Sequence, residues 1–247
     1  MSSTMRAQAM SSTVRAQAVA SSMRARHVKT FCLVGLVGLG AFLPWPAIGG
    51  EEAPPREVFA VRALYAPAHF GNSYEVMGPN EMRRLLTEAG EWGFNRYGDW
   101  FDMEDCSDPF AQKNLYQLAH AMWDRKKANY QTAQSLGLAC DLIITPNHVY
   151  VDQCREDLAA VQGGRIFGQL ICPSKPEARR IILADYENLF RDLAAAGVRL
   201  SAVAAAPYDF GGCGCERCKP WILTFAELTR EIHALAERYH PGVELDM

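Results

Sequence analysis

Residues 176–209, PEARRIILADYENLFRDLAAAGVRLSAVAAAPYD, contain the pattern that decides the fold. In the first part, four apolar residues recur at steps of four and three: Ile182, Tyr186, Leu189 and Leu193. This spacing predicts an amphipathic helix that ends at Gly197. The second part, 198–209, is small and apolar in its middle, as expected of a strand that is buried on both faces of a parallel sheet.

The same alternation of helix and strand extends to both sides of this unit. Strands are predicted at 57–65, 94–102, 140–150, 167–173, 198–209 and 243–247. Helices are predicted at about 80–93, 111–136, 176–197 and 220–239. The third helix is expected to begin in a capping box that runs from Ser174 to Glu177. Strands that alternate with helices predict a parallel sheet covered by helices.

The predicted fold class is therefore α/β, of the (β/α)8 TIM-barrel type. A complete barrel takes about 250 residues. This chain offers five complete βα units and a sixth strand, so the barrel is expected to be incomplete. The alternative is an open doubly wound parallel sheet. It is disfavoured because the first strand is followed by YAPAHFG, which lacks the Gly-x-Gly-x-x-Gly pattern of a dinucleotide-binding turn.

The N-terminal residues 1–50 are predicted to be a low-complexity segment followed by a signal peptide. The repeats SSTMRAQAM and SSTVRAQAV precede a basic RARHVK, an apolar run at 31–43 and a small-residue exit at 47–50. The apolar run is shorter than the ~20 residues of a membrane span. We therefore expect an exported protein, periplasmic or extracellular, and an uncleaved signal peptide that anchors the chain stays open as an alternative. Residues 51–56 are predicted to be a linker, and 57–247 the barrel domain.

The charge of the predicted barrel domain bears on its partners. The 25 Lys and Arg of the chain include five in the first 50 residues, where no Asp or Glu occurs. Residues 51–247 therefore hold 20 basic and 28 acidic side chains, a net charge of −8. Nucleic acids and anionic membranes select basic surfaces. We expect no nucleic-acid partner, and no membrane span beyond the signal peptide.

Polar and aromatic residues cluster where the predicted strands end, which in parallel α/β folds is where working groups lie. The candidates for substrate binding are Tyr65, Trp100, Asn147, His148 and Tyr208. The candidates for catalysis are the carboxylates of Asp99 and Asp209. Carboxylates and flat aromatic faces together are typical of carbohydrate sites, so a glycan is the expected substrate or ligand. Simpler roles stay open for three of them: a solvated loop or helix cap for Asp99, an Asx-turn for Asp209 and loop hydrogen bonding for His148.

A cysteine-rich loop, CGCERC, follows the fifth predicted strand. Cys213, Cys215 and Cys218 have the spacing to hold one metal ion as thiolates. A structural zinc needs a fourth ligand, for which Cys106, Cys172 or a histidine is a candidate. The alternatives are a disulfide, either Cys213–Cys218 or a bond to a distant cysteine, and free thiols.

Three phrases of the sequence resemble one family: PYDFGGCGCERCKPW, LICPSKPEAR and TPNHVYVDQ. They resemble secreted bacterial barrel proteins of the glycoside-hydrolase type, loosely related to hexosaminidase-like and glucuronidase-like barrels. Members of that group carry a C-x-C-x-x-C loop after an acid-bearing strand. The resemblance spans roughly residues 57–247 and implies a (β/α)8 barrel that acts on glycans or binds them. It also implies that Asp209 serves as the acid/base or orients the substrate.

Three functions are compatible with these residues. The first is an exported glycoside hydrolase with Asp209 as acid/base, Asp99 as a second carboxylate and no cofactor for catalysis. In an incomplete barrel that activity could be lost. The second is a non-catalytic glycan-binding or scaffold domain whose cysteine loop is purely structural. The third is a metal-dependent hydrolase, which would require His148 or His69 to converge with carboxylates on an ion.

Overall fold

The computed structural model describes residues 58–66, 77–101, 103, 106–111, 118–161, 170–206 and 212–247. The predicted signal peptide and linker lie outside the described residues. No helix within these ranges is both long enough and apolar enough to cross a lipid bilayer.

The described chain alternates five strands with four long helices. The strands are β1 (Ala63–Ala66), β2 (Arg96–Trp100), β3 (Ala139–Ile144), β4 (Leu200–Ala205) and β5 (Glu244–Asp246). The helices are α1 (Pro79–Glu91), α2 (Leu118–Ser135), α3 (Pro176–Ala195) and α4 (Trp221–Tyr239). A short 3-10 turn, Glu216–Cys218, precedes α4. The α/β alternation predicted from the sequence is confirmed.

The order of the strands decides between the two predicted architectures. All neighbours pair in parallel, in the order β1-β2-β3-β4-β5. Right-handed crossovers that always add the next strand on the same side place every helix on one face of the sheet. A doubly wound sheet instead reverses its strand order once. The described sheet therefore has the winding of a (β/α)8-type barrel, and the open doubly wound alternative is wrong.

The described residues of the predicted fourth strand 167–173, which are 170–173, do not join the sheet. Among its described residues, Leu170 and Ile171 form only isolated antiparallel bridges, to His148 and Ala159. β3 pairs directly with β4, which leaves no position for a strand between them. The described part of the sheet thus contains four βα units and a fifth strand, where the sequence predicted five units and a sixth. A short apolar run does not by itself distinguish a strand from a buried loop segment.

The sheet is strongly curved, as a side-chain contact across its inner face shows. The Arg96 guanidinium on β2 donates a hydrogen bond of 2.8 Å to Glu244 on β5. Three strand spacings separate β2 from β5, about 14 Å in a flat sheet. The two side chains span that distance because the sheet curls, so its inner face is concave. The helices cover the outer face, where apolar side chains of α2, α3 and α4 are buried against the strands.

Candidate functional site

A cavity of about 520 Å³ opens at the C-terminal edge of the concave face. It is lined by Tyr65, Trp100, Ile143, Ala204, Ala205, Ala206, Asp246 and Met247. This volume is in the range of small-ligand sites, and parallel α/β folds commonly place such sites at this edge. Two aromatic side chains and one carboxylate are its chemically distinctive groups. Tyr65 and Trp100 were predicted from the sequence to contact substrate, and the structure places both in the cavity wall.

The position of Tyr65 depends on the glycine beside it. A Cβ atom at Gly98 would lie 2.3 Å from the Tyr65 ring, so the ring rests directly on the backbone of β2. Tyr65 is 42% exposed, and it lines the cavity. Burial, and after it the carboxylates of Asp141 and Asp246, raise the pKa of the phenol. Tyr65 therefore stays a neutral hydrogen-bonding aromatic group at neutral pH.

An ionic cluster lies next to the cavity on the same concave face. Arg96 lies 3.5 Å from the carboxylate of Asp141 on β3, and it also binds Glu244 on β5. Asp141 is fully buried, and burial raises its pKa to about 6, although Arg96 opposes the shift. Asp141 does not line the cavity, so its role here is to hold Arg96 on the concave face.

Asp99, the predicted second catalytic carboxylate, faces away from the cavity. Its carboxylate accepts hydrogen bonds of 2.6 Å from the Tyr97 hydroxyl and 2.8 Å from Lys126 of α2. The Asp99 side chain is 1% exposed. Burial raises the pKa of this carboxyl, while Lys126 and the hydrogen bonds lower it. Asp99 therefore fixes α2 to the outer face of β2, and a direct catalytic role does not fit this placement.

Two other predicted sugar contacts are covered by protein. Asn147 and His148, after β3, are 4% and 3% exposed. The Asn147 amide donates a 3.3 Å hydrogen bond to the Ile171 carbonyl, and His148 forms a backbone bridge with Leu170. Neither lines the cavity. They support the connection between β3 and α3, and the predicted contact with substrate does not fit their burial.

The remaining predicted residues lie outside the described part of the chain. Asp209 and Tyr208 belong to 207–211, between the end of β4 and Gly212, and His69 follows β1. Their proposed roles stay predictions.

The cysteine loop forms a compact cluster with a fourth cysteine. The sulfur atoms of Cys172, Cys213, Cys215 and Cys218 all lie within 4.8 Å of one another. Cys172 Sγ is 3.7 Å from both Cys215 Sγ and Cys218 Sγ. A disulfide requires about 2.05 Å, so these cysteines are thiols here and the disulfide alternative does not fit. Of the candidates for a fourth ligand, Cys172 is the one that joins the cluster.

Close packing shapes the loop that carries three of these cysteines. Gly212 has φ +64, and a Cβ there would lie 1.8 Å from the Trp221 ring. Only glycine fits at this position, and the Trp221 ring closes one side of the cluster. Gly214 donates a 2.5 Å backbone hydrogen bond to Val161. The loop is therefore fixed both to α4 and to the connection between β3 and α3.

The local environment shifts the pKa values of three cluster thiols in different directions. Burial raises the pKa of Cys218 to about 12 and also raises that of Cys213. The pKa of Cys215 is lowered to about 6, first by a hydrogen bond from Ser174. The Ser174 hydroxyl lies 3.0 Å from Cys172 Sγ and 3.6 Å from Cys215 Sγ.

The capping box predicted from Ser174 to Glu177 is not present at the start of α3. The N-cap of α3 is Lys175, and no side chain caps the helix by a hydrogen bond. The expected capping box is not formed because the Ser174 hydroxyl turns toward the sulfur atoms instead.

Sequence reasoning missed three charged residues of the concave face: Arg96, Asp141 and Asp246. A signal for two of them was present. Asp141 interrupts the apolar strand CDLII, where a buried carboxylate needs a specific partner. Glu244 and Asp246 alternate in VELDM, so they share one face of a strand.

Comparison with known proteins supports the fold. No protein-family model matches the sequence, and no curated protein is similar to it. Among solved structures, the pneumococcal virulence factor StrH, studied for N-glycan recognition and hydrolysis, is similar with a TM-score of 0.51 and 13% identity. The similarity covers 75% of this chain and 52% of StrH, so the chain spans about half of that structure.

Two further structures are more distant. The GH5_18 protein of Streptomyces cattleya, in complex with GlcNAc, has a TM-score of 0.41 and 16% identity over 69% of this chain and 39% of its own. A putative alpha amylase of Salmonella typhimurium has a TM-score of 0.45 and 13% identity. The similarity covers 75% of this chain and 31% of the amylase chain. The structural neighbours thus include glycoside hydrolases with TIM-barrel folds, and at these identities the likeness concerns the fold.

Proposed function

We propose that this chain is an exported glycoside-hydrolase-like barrel protein that binds glycans in the cavity at the C-terminal edge of its sheet. The observation that carries the proposal is the convergence of Tyr65, Trp100 and Asp246 on that cavity. Flat aromatic faces pack against sugar rings, and a carboxylate accepts hydrogen bonds from sugar hydroxyl groups. The StrH-like fold agrees with this proposal.

For hydrolysis, we propose that Asp209 and Asp246 form the carboxylate pair. Asp209 follows β4 and Asp246 ends β5, so adjacent strands supply the two acids. One would protonate the leaving oxygen, and the other would act as nucleophile or activate a water molecule. This chemistry needs no cofactor, and a metal ion held by the cysteine cluster would have a structural role.

A specific observation favours the second candidate function, a non-catalytic glycan-binding domain. The cavity wall is mainly apolar, with Ile143 and three consecutive alanines, Ala204–Ala206, beside a single carboxylate. The metal-dependent hydrolase has less support. Within the described ranges the group suited to a metal is the cysteine cluster, and it does not include His148.

The test combines glycan binding and hydrolysis by the full chain. The probes are N-glycan-derived oligosaccharides, including Manβ1-4GlcNAc, assayed by calorimetry and by release of reducing sugar. We expect Trp100→Ala and Tyr65→Ala to abolish measurable binding. Asp209→Asn and Asp246→Asn should lower turnover by about 10²-fold or more, while the exposed Asp124→Asn should not. Binding without any turnover would identify the non-catalytic function, and absence of binding to every glycan would refute both.

A further inference from the structure

We propose that Cys172, Cys213, Cys215 and Cys218 bind one Zn²⁺ ion, which joins the connection between β3 and α3 to the connection between β4 and α4. The two connections are neighbours at the C-terminal edge of the sheet, because β3 pairs with β4. Cys172 lies 43 residues before Cys215 and 46 before Cys218. The site therefore closes a loop around all of α3 and β4.

The distances between the sulfur atoms match those of a tetrahedral zinc site. With Zn–S bonds of about 2.3 Å, the edges of a ZnS₄ tetrahedron are about 3.8 Å long. The separations of Cys172 Sγ from Cys215 Sγ and from Cys218 Sγ are both 3.7 Å. No pair in the cluster exceeds 4.8 Å. An ion at the centre would need only small adjustments of side-chain rotamers.

The donor atoms decide which kind of ion fits. Four thiolates form a soft ligand set, which selects zinc or iron over magnesium and calcium. Cys172, Cys213 and Cys218 are almost fully buried, with 1%, 1% and 0% exposure. Four protein ligands fill the coordination sphere of zinc and leave no position for water or substrate. The role of the ion is thus structural, and binding releases the thiol protons to solvent.

The backbone around the cluster is arranged as in a metal-binding loop. The Cys218 N–H donates a 2.9 Å hydrogen bond to the Cys215 carbonyl, which turns both sulfur atoms to one side. The Lys175 N–H makes the corresponding turn at Cys172, at 3.0 Å. The Val161 N–H donates to Cys213 Sγ at 3.4 Å. Donors of this kind hold thiolate ligands in orientation and stabilise their charge.

The position of the proposed zinc site bears on the candidate functional site. Segment 207–211, which contains Asp209, lies between Ala206, the residue after β4, and Gly212, which precedes Cys213. Zinc would fix the far end of that segment. This consequence rests on the proposed function, whereas zinc binding itself does not.

The first test measures metal content in the purified full chain by mass spectrometry. We expect about one zinc per chain, and about a tenth of that or less in Cys172→Ser and in Cys213→Ser. Cys154→Ser is the matched control, because Cys154 is a partly exposed thiol outside the cluster, and it should keep its zinc. Iron in place of zinc, or full zinc content in Cys172→Ser, would overturn the proposal.

The second test uses only the wild-type chain and so does not depend on how the variants fold. Removal of zinc with a chelator should make the cluster thiols reactive toward a thiol reagent. Reconstitution with Co²⁺ should give the visible absorption of a tetrahedral cobalt–thiolate centre. Intact-mass detection of a disulfide within the cluster of the native chain would contradict the proposal. These readouts do not involve glycans, so they are independent of the proposed hydrolase or binding activity.

Discussion

Lys126 Nζ lies 2.8 Å from Asp99 Oδ1, and both side chains are buried between α2 and β2. The Tyr97 hydroxyl occupies the other carboxylate oxygen at 2.6 Å, and the Trp100 N–H donates to Oδ1 at 2.9 Å. A buried ion pair of this kind is stable only with both partners present, since either charge alone would be left without compensation.

The first prediction concerns this pair. Lys126→Met should lower the free energy of unfolding by about 3–5 kcal/mol, because the Asp99 charge then stays buried without a cation. Urea denaturation measures the change. Lys127→Met is the control, since Lys127 pairs with partly exposed Asp124 and Asp192, and it should cost about 1 kcal/mol or less. Equal losses for the two variants would contradict a special role of the buried pair.

The second prediction concerns Gly98 and Tyr65. Gly98→Ala would place a methyl group within 2.3 Å of the Tyr65 ring, so the ring must leave its position on the cavity wall. We expect weaker glycan binding with only a modest loss of stability, because Tyr65 is partly exposed and can swing away. In a Tyr65→Ala background, where binding is already abolished, the same substitution should cost no stability, because the ring that the methyl group displaces is absent. An additional loss there would show that Gly98 acts by another route.

The third prediction concerns the buried carboxyl of Asp185. It is 3% exposed and accepts a 2.8 Å hydrogen bond from Gln153, and burial raises its pKa to about 7. The folded state therefore favours the protonated acid. Its contribution to stability is full below about pH 4, where the unfolded chain is also protonated, and is lost as the pH rises to about 7.

Asp185→Asn should flatten this part of the stability profile and raise the free energy of unfolding at about pH 8 relative to the parent. Denaturation across the pH range measures the effect, with exposed Asp124→Asn as the control. A parent profile that rises between about pH 4 and pH 7, with no change in slope in the variant, would disprove the assignment.

The fourth prediction concerns His240, whose contribution to stability changes with pH in the opposite direction. His240 is buried, accepts a 3.3 Å hydrogen bond from the Leu200 N–H at Nδ1, and bonds the Phe190 carbonyl through Nε2 at 3.0 Å. Burial lowers its pKa, so the folded state favours neutral imidazole. Its contribution to stability is present above about pH 6.5 and is lost as the pH falls below that value.

His240→Gln should be less stable at neutral pH but lose less stability on acidification than the parent chain. Chemical denaturation at about pH 7.5 and about pH 5 gives the two values needed. An identical acid sensitivity of parent and His240→Gln would exclude this histidine as the titrating group.

The sequence predicted the fold class well because the helices carry a clear period. Leu189 and Leu193 of α3 and Phe225 and Leu228 of α4 are buried, as the spacing indicated. The run around Ile171 is short and apolar, a pattern that predicts a strand. It is buried instead through its contacts with the connection after β3, which no local pattern reveals.

The candidate site was harder to predict because barrel strands are buried on both faces. In RYGDW, hydrophobicity does not show whether Asp99 or Trp100 points inward, and a shift of one residue exchanges the two faces. The contact between Gly98 and Tyr65 settles the orientation, but it is a property of the paired strands. Cys172 was only one of several candidates for the fourth ligand. Sequence spacing constrains metal ligands within one loop, but it does not show which residue of another loop comes close.

The bond between Arg96 and Glu244 also bears on how the protein reaches its native state. It joins residues 148 positions apart, and contacts of such long sequence separation are slow to form. The wall that carries Asp246 exists only after β5 has docked beside β4. If the cavity binds a glycan as proposed, the bound glycan would by mass action stabilise the state in which β5 is docked.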